Sequence, residues 1–156
     1  MDAATQSVVD AAGGSIAMLD LAAAWHDRCL ADPIVSHAFC HGFRSDHRER
    51  LAAYWSEALG GPSTFSALLG DESNVVRMHS GKGEHVEMDE VARVCFAHAP
   101  HDARLPEDPR LRTTLINYFR WATHMMSRYP HSSDDVTVGR SVPKWSWDGP
   151  VASHPR

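Results

Sequence analysis

Four long runs of the chain carry apolar residues three and four positions apart, and each is closed by glycine or proline. That period is the one an α-helix imposes on a buried face. No stretch alternates convincingly as a half-buried strand does, so the pattern commits the chain to an all-α fold. The first run follows Gly13-Gly14, with Ser15 expected as its cap. Its stripe reads Ile16, Leu19, Ala23, His26 and Leu30, and Asp32-Pro33 ends it. The second spans residues 46–59, with Asp46 and Glu49 as a variant capping box. His47, Leu51, Tyr54 or Trp55, and Ala58 are expected inward, and Gly60-Gly61-Pro62 stops the run. The third starts after Gly83 with Met88, Val91 or Ala92, Cys95 and Ala99 inward, and Pro100 is expected to end it. Asp108-Pro109, a cap followed by proline in the first turn, opens the fourth, which runs to about Arg128 with Leu111, Leu115, Tyr118, Ala122 and Met125 inward. Residues 1–12 offer one weak helical turn, and residues 64–69 a short helix closed by Gly70. The expected organisation is one domain over residues 1–156: a helical core of about 13–129 and an irregular C-terminal extension of 130–156 carrying Trp145 and Trp147.

Between the second and third runs lies Val75-Val76-Arg77-Met78-His79, followed by Ser80-Gly81-Lys82-Gly83. Glycine costs a helix about 1 kcal/mol relative to alanine, so the segment stops at His79 or just past it. An imidazole pinned there can point inward and ligate a metal or a haem iron. Alone, such a histidine is more often a hydrogen-bonded core residue. Histidine is nevertheless the anomaly of the composition, at 11 residues. His26 and His47 join His79 as the three that fall on apolar faces.

The rest of the composition serves to exclude. The net charge of -5 argues against general nucleic-acid binding. No run approaches the roughly 20 apolar residues of a membrane span. The first residues, Met1-Asp2-Ala3-Ala4-Thr5-Gln6, lack the basic start of a secretory signal. Cys29, Cys40 and Cys95 are far apart with no CxxC pair, which reads as reduced thiols in a cytoplasmic protein.

In this order the elements resemble the truncated haemoglobins, a small form of the globin fold, and look most like the actinobacterial branch of the second group. The residues that carry the resemblance are Gly13-Gly14, Trp25-His26-Asp27-Arg28 with Asp32-Pro33, Phe39, Gly60-Gly61-Pro62 with Phe65 and Gly70, and Arg77-Met78-His79. Tyr118-Phe119-Arg120-Trp121-Ala122-Thr123 and Pro143-Lys144-Trp145-Ser146-Trp147-Asp148-Gly149 complete it. The resemblance implies a two-over-two helical sandwich around haem b, with His79 as the proximal iron ligand and Phe39 packed on the porphyrin. It puts His47 and Leu51 at distal positions and Trp25 with His26 at the aromatic pair of the first long helix. Met78, Ala92 and Tyr118 join the haem-contacting set; Arg77 and Lys82 could pair with the propionates or equally well simply face solvent. The chain departs from the family in two places. A tyrosine that donates to the bound ligand is usual where this chain has His26, and a tryptophan donor is usual in the second group where it has Ala92. Slow oxygen release is therefore not expected to carry over unchanged.

A neutral imidazole can donate to a bound ligand, and with an ordinary pKa near ~6.5 it can also exchange protons with one. The reading is a haem b globin that binds dioxygen or another diatomic gas. The alternative is a haem enzyme, peroxidase- or oxygenase-like, that uses His26 or His47 as distal acid and base on peroxide or a small organic substrate. A haem-free interaction module is a third option, and His79 argues against it.

Overall fold

The structure is a computed structural model and describes residues 6–40, 42–79, 86–126 and 141–151. Helix α1 (Val8–Ala12) is capped by the Ser7 hydroxyl, which accepts from the Asp10 N–H at 3.1 Å. Gly13 and Gly14 both adopt positive φ, 119° and 84°. They reverse the chain so tightly that Gly14, not Ser15, takes the cap position of α2 (Ser15–Ala31). The expected Ser15 cap is therefore displaced by one residue.

The buried face of α2 is Met18, Leu21, Ala22, His26 and Cys29, whereas Ile16 is 76% exposed and Leu19 and Leu30 are more than a third exposed. The expected stripe is rotated, though both contain His26. Alanine and leucine lie all round this helix, so periodicity alone does not choose a face. Packing against the two neighbouring helices does.

Asp32 ends α2, and its Oδ1 accepts from the N–H groups of Ile34 (2.8 Å) and Val35 (3.0 Å) to start a 3₁₀ turn, Val35–Phe39. Helix α3 (His47–Ala58) begins without the expected capping box. The Asp46 carboxylate makes no cap bond and instead accepts from Arg44 Nε at 2.9 Å. Beyond α3, Gly61 passes so close to Ser56 that a Cβ would lie 2.8 Å from its carbonyl oxygen, so only glycine fits. A π-helical turn (Phe65–Leu69) leads to α4 (Glu72–His79), whose start is held twice. Asp71 Oδ1 accepts from the Asn74 N–H at 2.8 Å, and Tyr54 donates to the buried Glu72 carboxylate at 2.6 Å across from α3.

Helix α5 (Val86–Asp102) runs through Pro100 instead of ending there. Proline removes its own N–H and crowds the carbonyl four residues back, and the helix has only residues 101 and 102 left to run beyond it. The helix closes one turn later, where Leu105 N–H reaches the Pro100 carbonyl (3.0 Å) and Arg104, at φ 58°, turns the chain. Arg28 of α2 pairs with Asp102 there. Helix α6 (Pro109–Met126) starts as its sequence predicts, with Asp108 Oδ1 accepting from the Arg110 N–H at 2.9 Å.

Helix α2 packs on α3 and on α5, and α5 packs on α6, giving the two pairs of the expected two-over-two helical sandwich, with α1 against α2 and α6. The central core is aromatic. Phe96 and Phe119 stack at 4.3 Å, and Trp25 and Trp55 close edge-on around them. Such side chains contribute about 1.5–3 kcal/mol each by burial.

The described part of the extension folds over this sandwich. Lys144 donates to the Glu57 carbonyl at 3.1 Å, Trp145 packs on Trp121 at 5.2 Å, and Trp147 Nε1 donates to the Gln6 carbonyl at 2.7 Å. A small hairpin, β1 (Trp145–Ser146) with β2 (Gly149–Pro150), interrupts the expected irregular tail. Strands of two residues are too short to show alternation in a sequence. Among the described residues no helix is long and apolar enough to cross a membrane.

Candidate functional site

Two consecutive residues of α2 face in different directions. Trp25 turns into the central core, where its indole donates to the Ala92 carbonyl of α5 at 3.1 Å. His26 turns toward the start of α3 and is fully buried. Its ring meets three others, with centroids 4.9 Å away for Phe39, 4.5 Å for Phe43 and 4.8 Å for His47. Phe39, Phe43 and His47 are also within 6 Å of one another. The four rings form a closed box built from α2, the 3₁₀ turn, the loop after it and the first residue of α3.

The polar atoms inside the box are unequally served. Arg48 Nε donates to His26 Nδ1 at 3.2 Å, and Arg48 Nη2 pairs with Asp27. His26 Nε2 and His47 Nε2 are both buried without a hydrogen-bond partner among the described residues. A buried group left unpaired costs about 1–3 kcal/mol, so each of these two atoms could take a polar partner. The pKa of His26 is lowered to about 4, first by burial and then by the charges of His47 and Arg48, against the opposing pull of Asp27. Burial also lowers that of His47, with Arg48 adding to it and Asp46 opposing. Both rings are neutral at pH 7.

Of the residues singled out in the sequence, the structure brings His26, His47 and Phe39 together. Leu51 lies half-buried one turn beyond His47, packed on the main core. Ala92 sits where that core meets a smaller cluster of Cys29, Val35 and Cys95. Tyr118 is buried beside Trp121 and Trp145, outside the four-ring box. The described part of α4 reaches His79, and the glycines expected to stop it lie outside the described residues. The side chains of Arg77, Met78 and His79, and the whole of Lys82, lie outside the described residues. Sequence reasoning missed Phe43 and Arg48. The signal for Phe43 was its spacing of four from Phe39. Among the described residues no cluster of three or more histidine, cysteine, aspartate or glutamate side chains is placed to hold a metal ion.

Solved structures similar to this fold include the haemoglobin of Chloroflexus aurantiacus, with a TM-score of 0.66 and 23% identity over 78% of this chain and 97% of that one. The group II truncated haemoglobin of Bacillus anthracis matches with a TM-score of 0.68 and 16% identity over 80% and 93%. The thermostable haemoglobin of the actinobacterium Thermobifida fusca matches with a TM-score of 0.64 and 23% identity over 86% and 100%. At these identities the likeness is one of fold. The comparison with curated proteins returns no match. The family model described as bacterial-like globin covers residues 7–127, from the cap of α1 to the end of α6. The chain belongs to the bacterial-like globin family.

Proposed function

We propose that this globin holds dioxygen in preference to less polar diatomic gases, with His79 as its proximal ligand and His26 as the distal hydrogen-bond donor. Membership of the globins makes haem the cofactor and a diatomic gas the ligand. Haem b, when bound, supplies the iron to which the gas attaches. The observation that carries the reading is the His26 ring: with Nδ1 accepting from Arg48, the proton of the neutral imidazole is on Nε2, which is buried and unpartnered. A donor of this kind favours a gas whose outer atom becomes negative on binding. His47, with its own unpartnered Nε2, is the second candidate donor. Phe39 and Phe43 exclude water around both rings. The cap and carboxylate contacts at the start of α4 hold the helix that ends in His79.

The finer assignments belong to the same reading. We place the chain in the second group of truncated haemoglobins, in its actinobacterial branch, as a single domain in the cytoplasm. Three free cysteines support that compartment. Arg77 and Lys82 are assigned to the propionates, and Trp25, Phe39, Leu51, Met78, Ala92 and Tyr118 to the haem surroundings. The peroxidase- or oxygenase-like alternative is less well supported. A base must offer a lone pair, and the His26 nitrogen left for a ligand carries the proton.

An absorbance spectrum of the purified protein is the first test, and the absence of a Soret band would overturn the reading. Stopped-flow release of dioxygen is the second. Loss of one donor hydrogen bond, about 0.5–1.5 kcal/mol, should make His26→Phe release dioxygen several-fold to tenfold faster. Unchanged release in His26→Phe with faster release in His47→Phe would transfer the role to His47.

A further inference from the structure

We propose that Arg48 is a positioning residue: its guanidinium, shared between His26 and Asp27, fixes the His26 ring as an Nε2–H donor and keeps that ring from becoming an iron ligand. The first half rests on the protein alone, and the second half rests on the haem reading above. An arginine N–H can donate but never accept, and the guanidinium keeps its charge at every pH the fold meets. Its Nε–H points at His26 Nδ1 from 3.2 Å. That bond requires the lone pair to be on Nδ1, so the one proton of a neutral ring must sit on Nε2. A metal would need the Nε2 lone pair instead. The ring could then supply it only by giving up Arg48 or by losing its last proton.

The contact is built from two adjacent pairs, His26-Asp27 on α2 and His47-Arg48 on α3. Asp27 takes the outer nitrogen of the guanidinium and leaves Nε for the ring. This fork needs arginine, because a lysine ammonium cannot fix two acceptors in one plane. The side chain of Arg48 is 38% exposed and that of Asp27 63%, and exposed ion pairs contribute little to stability. A surface pair of small energetic value thus sets the protonation pattern of a ring with no exposure. The guanidinium charge also opposes a second proton on His26, acting with burial and His47 against Asp27.

Nitrogen-15 NMR of the purified protein, in its diamagnetic carbonmonoxy form where it carries haem, reads the tautomer of each imidazole. The expected result is a single Nε2–H form for His26 between about pH 5.5 and 8, well above its depressed titration, and a mixture or an Nδ1–H form in Arg48→Met. An Nδ1–H wild-type ring overturns the proposal without recourse to any variant. An unchanged tautomer in Arg48→Met overturns the role of Arg48. Ferrous Arg48→Met should also gain a low-spin, six-coordinate spectrum that the added change His26→Phe removes. If the tautomer moves and no such spectrum arises, the claim about iron ligation is wrong and the tautomer claim holds. A protein without a Soret band sinks the haem reading alone and leaves the tautomer to be decided by NMR.

Discussion

Trp25 and His26 are neighbours on one helix, yet each belongs to a different group of four rings. Trp25, Trp55, Phe96 and Phe119 make the central core. His26, Phe39, Phe43 and His47 make the box at the mouth of α3. Ring spacings are alike in the two, at about 4.3–6.1 Å between centroids in the core and 4.5–5.9 Å in the box. What differs is the state of their polar atoms. In the core, the Trp25 indole has its acceptor. In the box, two imidazole nitrogens have none. Rings at the same spacing therefore satisfy the Trp25 indole in one place and leave two buried imidazole nitrogens unmatched, among the described residues, in the other. The difference lies in which hydrogen bonds the fold completes.

The comparison fails most visibly if the two groups respond alike to truncation. Phe119→Ala should cost about 3–5 kcal/mol in denaturant unfolding, while His26→Phe should shift stability by no more than about 1 kcal/mol in either direction. Equal losses would show that the box is ordinary core.

Acid should act on the box and spare the core. The native His26 pKa is lowered to about 4, against about 6.5 in the unfolded chain, so below pH 6.5 the unfolded state takes up a proton that the folded state refuses. Stability is then complete above that pH and is lost as pH falls toward 4, by at most roughly 3 kcal/mol. His47 works in the same direction. Unfolding midpoints at neutral and acid pH should converge in His26→Phe, and an equally steep acid loss in that variant would assign the effect elsewhere.

Trp25→Phe deletes one satisfied bond of the core and leaves the Ala92 carbonyl without its donor. A loss of about 1–2 kcal/mol with little change in ligand release is expected. A large change in release would mean that the two groups are coupled. The smallest effect belongs to Asp46→Ala, beside the box. Because Asp46 makes no cap bond, its loss should leave the unfolding midpoint essentially where it was by the same assay. A loss typical of a helix cap would show that the box depends on that helix start.

Much of the frame was legible in the sequence because a few residues dictate backbone geometry locally. Asp108-Pro109 starts α6, and Gly60-Gly61 closes α3. What was not legible depends on contacts between helices. The face of α2 was misread because its composition is apolar on every side. Pro100 was taken as a stop because its tolerance depends on the turn that follows it. Asp46 was taken as a cap because Arg44 competes for its carboxylate only in three dimensions. Within the site, the histidines were visible and their controlling partner was not, since nothing in a single helix says that Arg48 reaches a ring 22 residues away.

The bond from Trp147 to Gln6 joins residues 141 apart in sequence. It has a consequence in time. The segment just before α1 leaves the ribosome well ahead of its partner, which follows 141 residues later. At about 5–20 residues per second the delay is roughly 7–30 s. The valines of α1 pack in a core shared with α2, which is made next, and with α6, so their cover is complete only once α6 has been made. Contacts of such long sequence separation carry the largest closure entropy and form late. The contacts that tie α1 to α6 and Gln6 to Trp147 thus close late, after the local packing of α1 on α2.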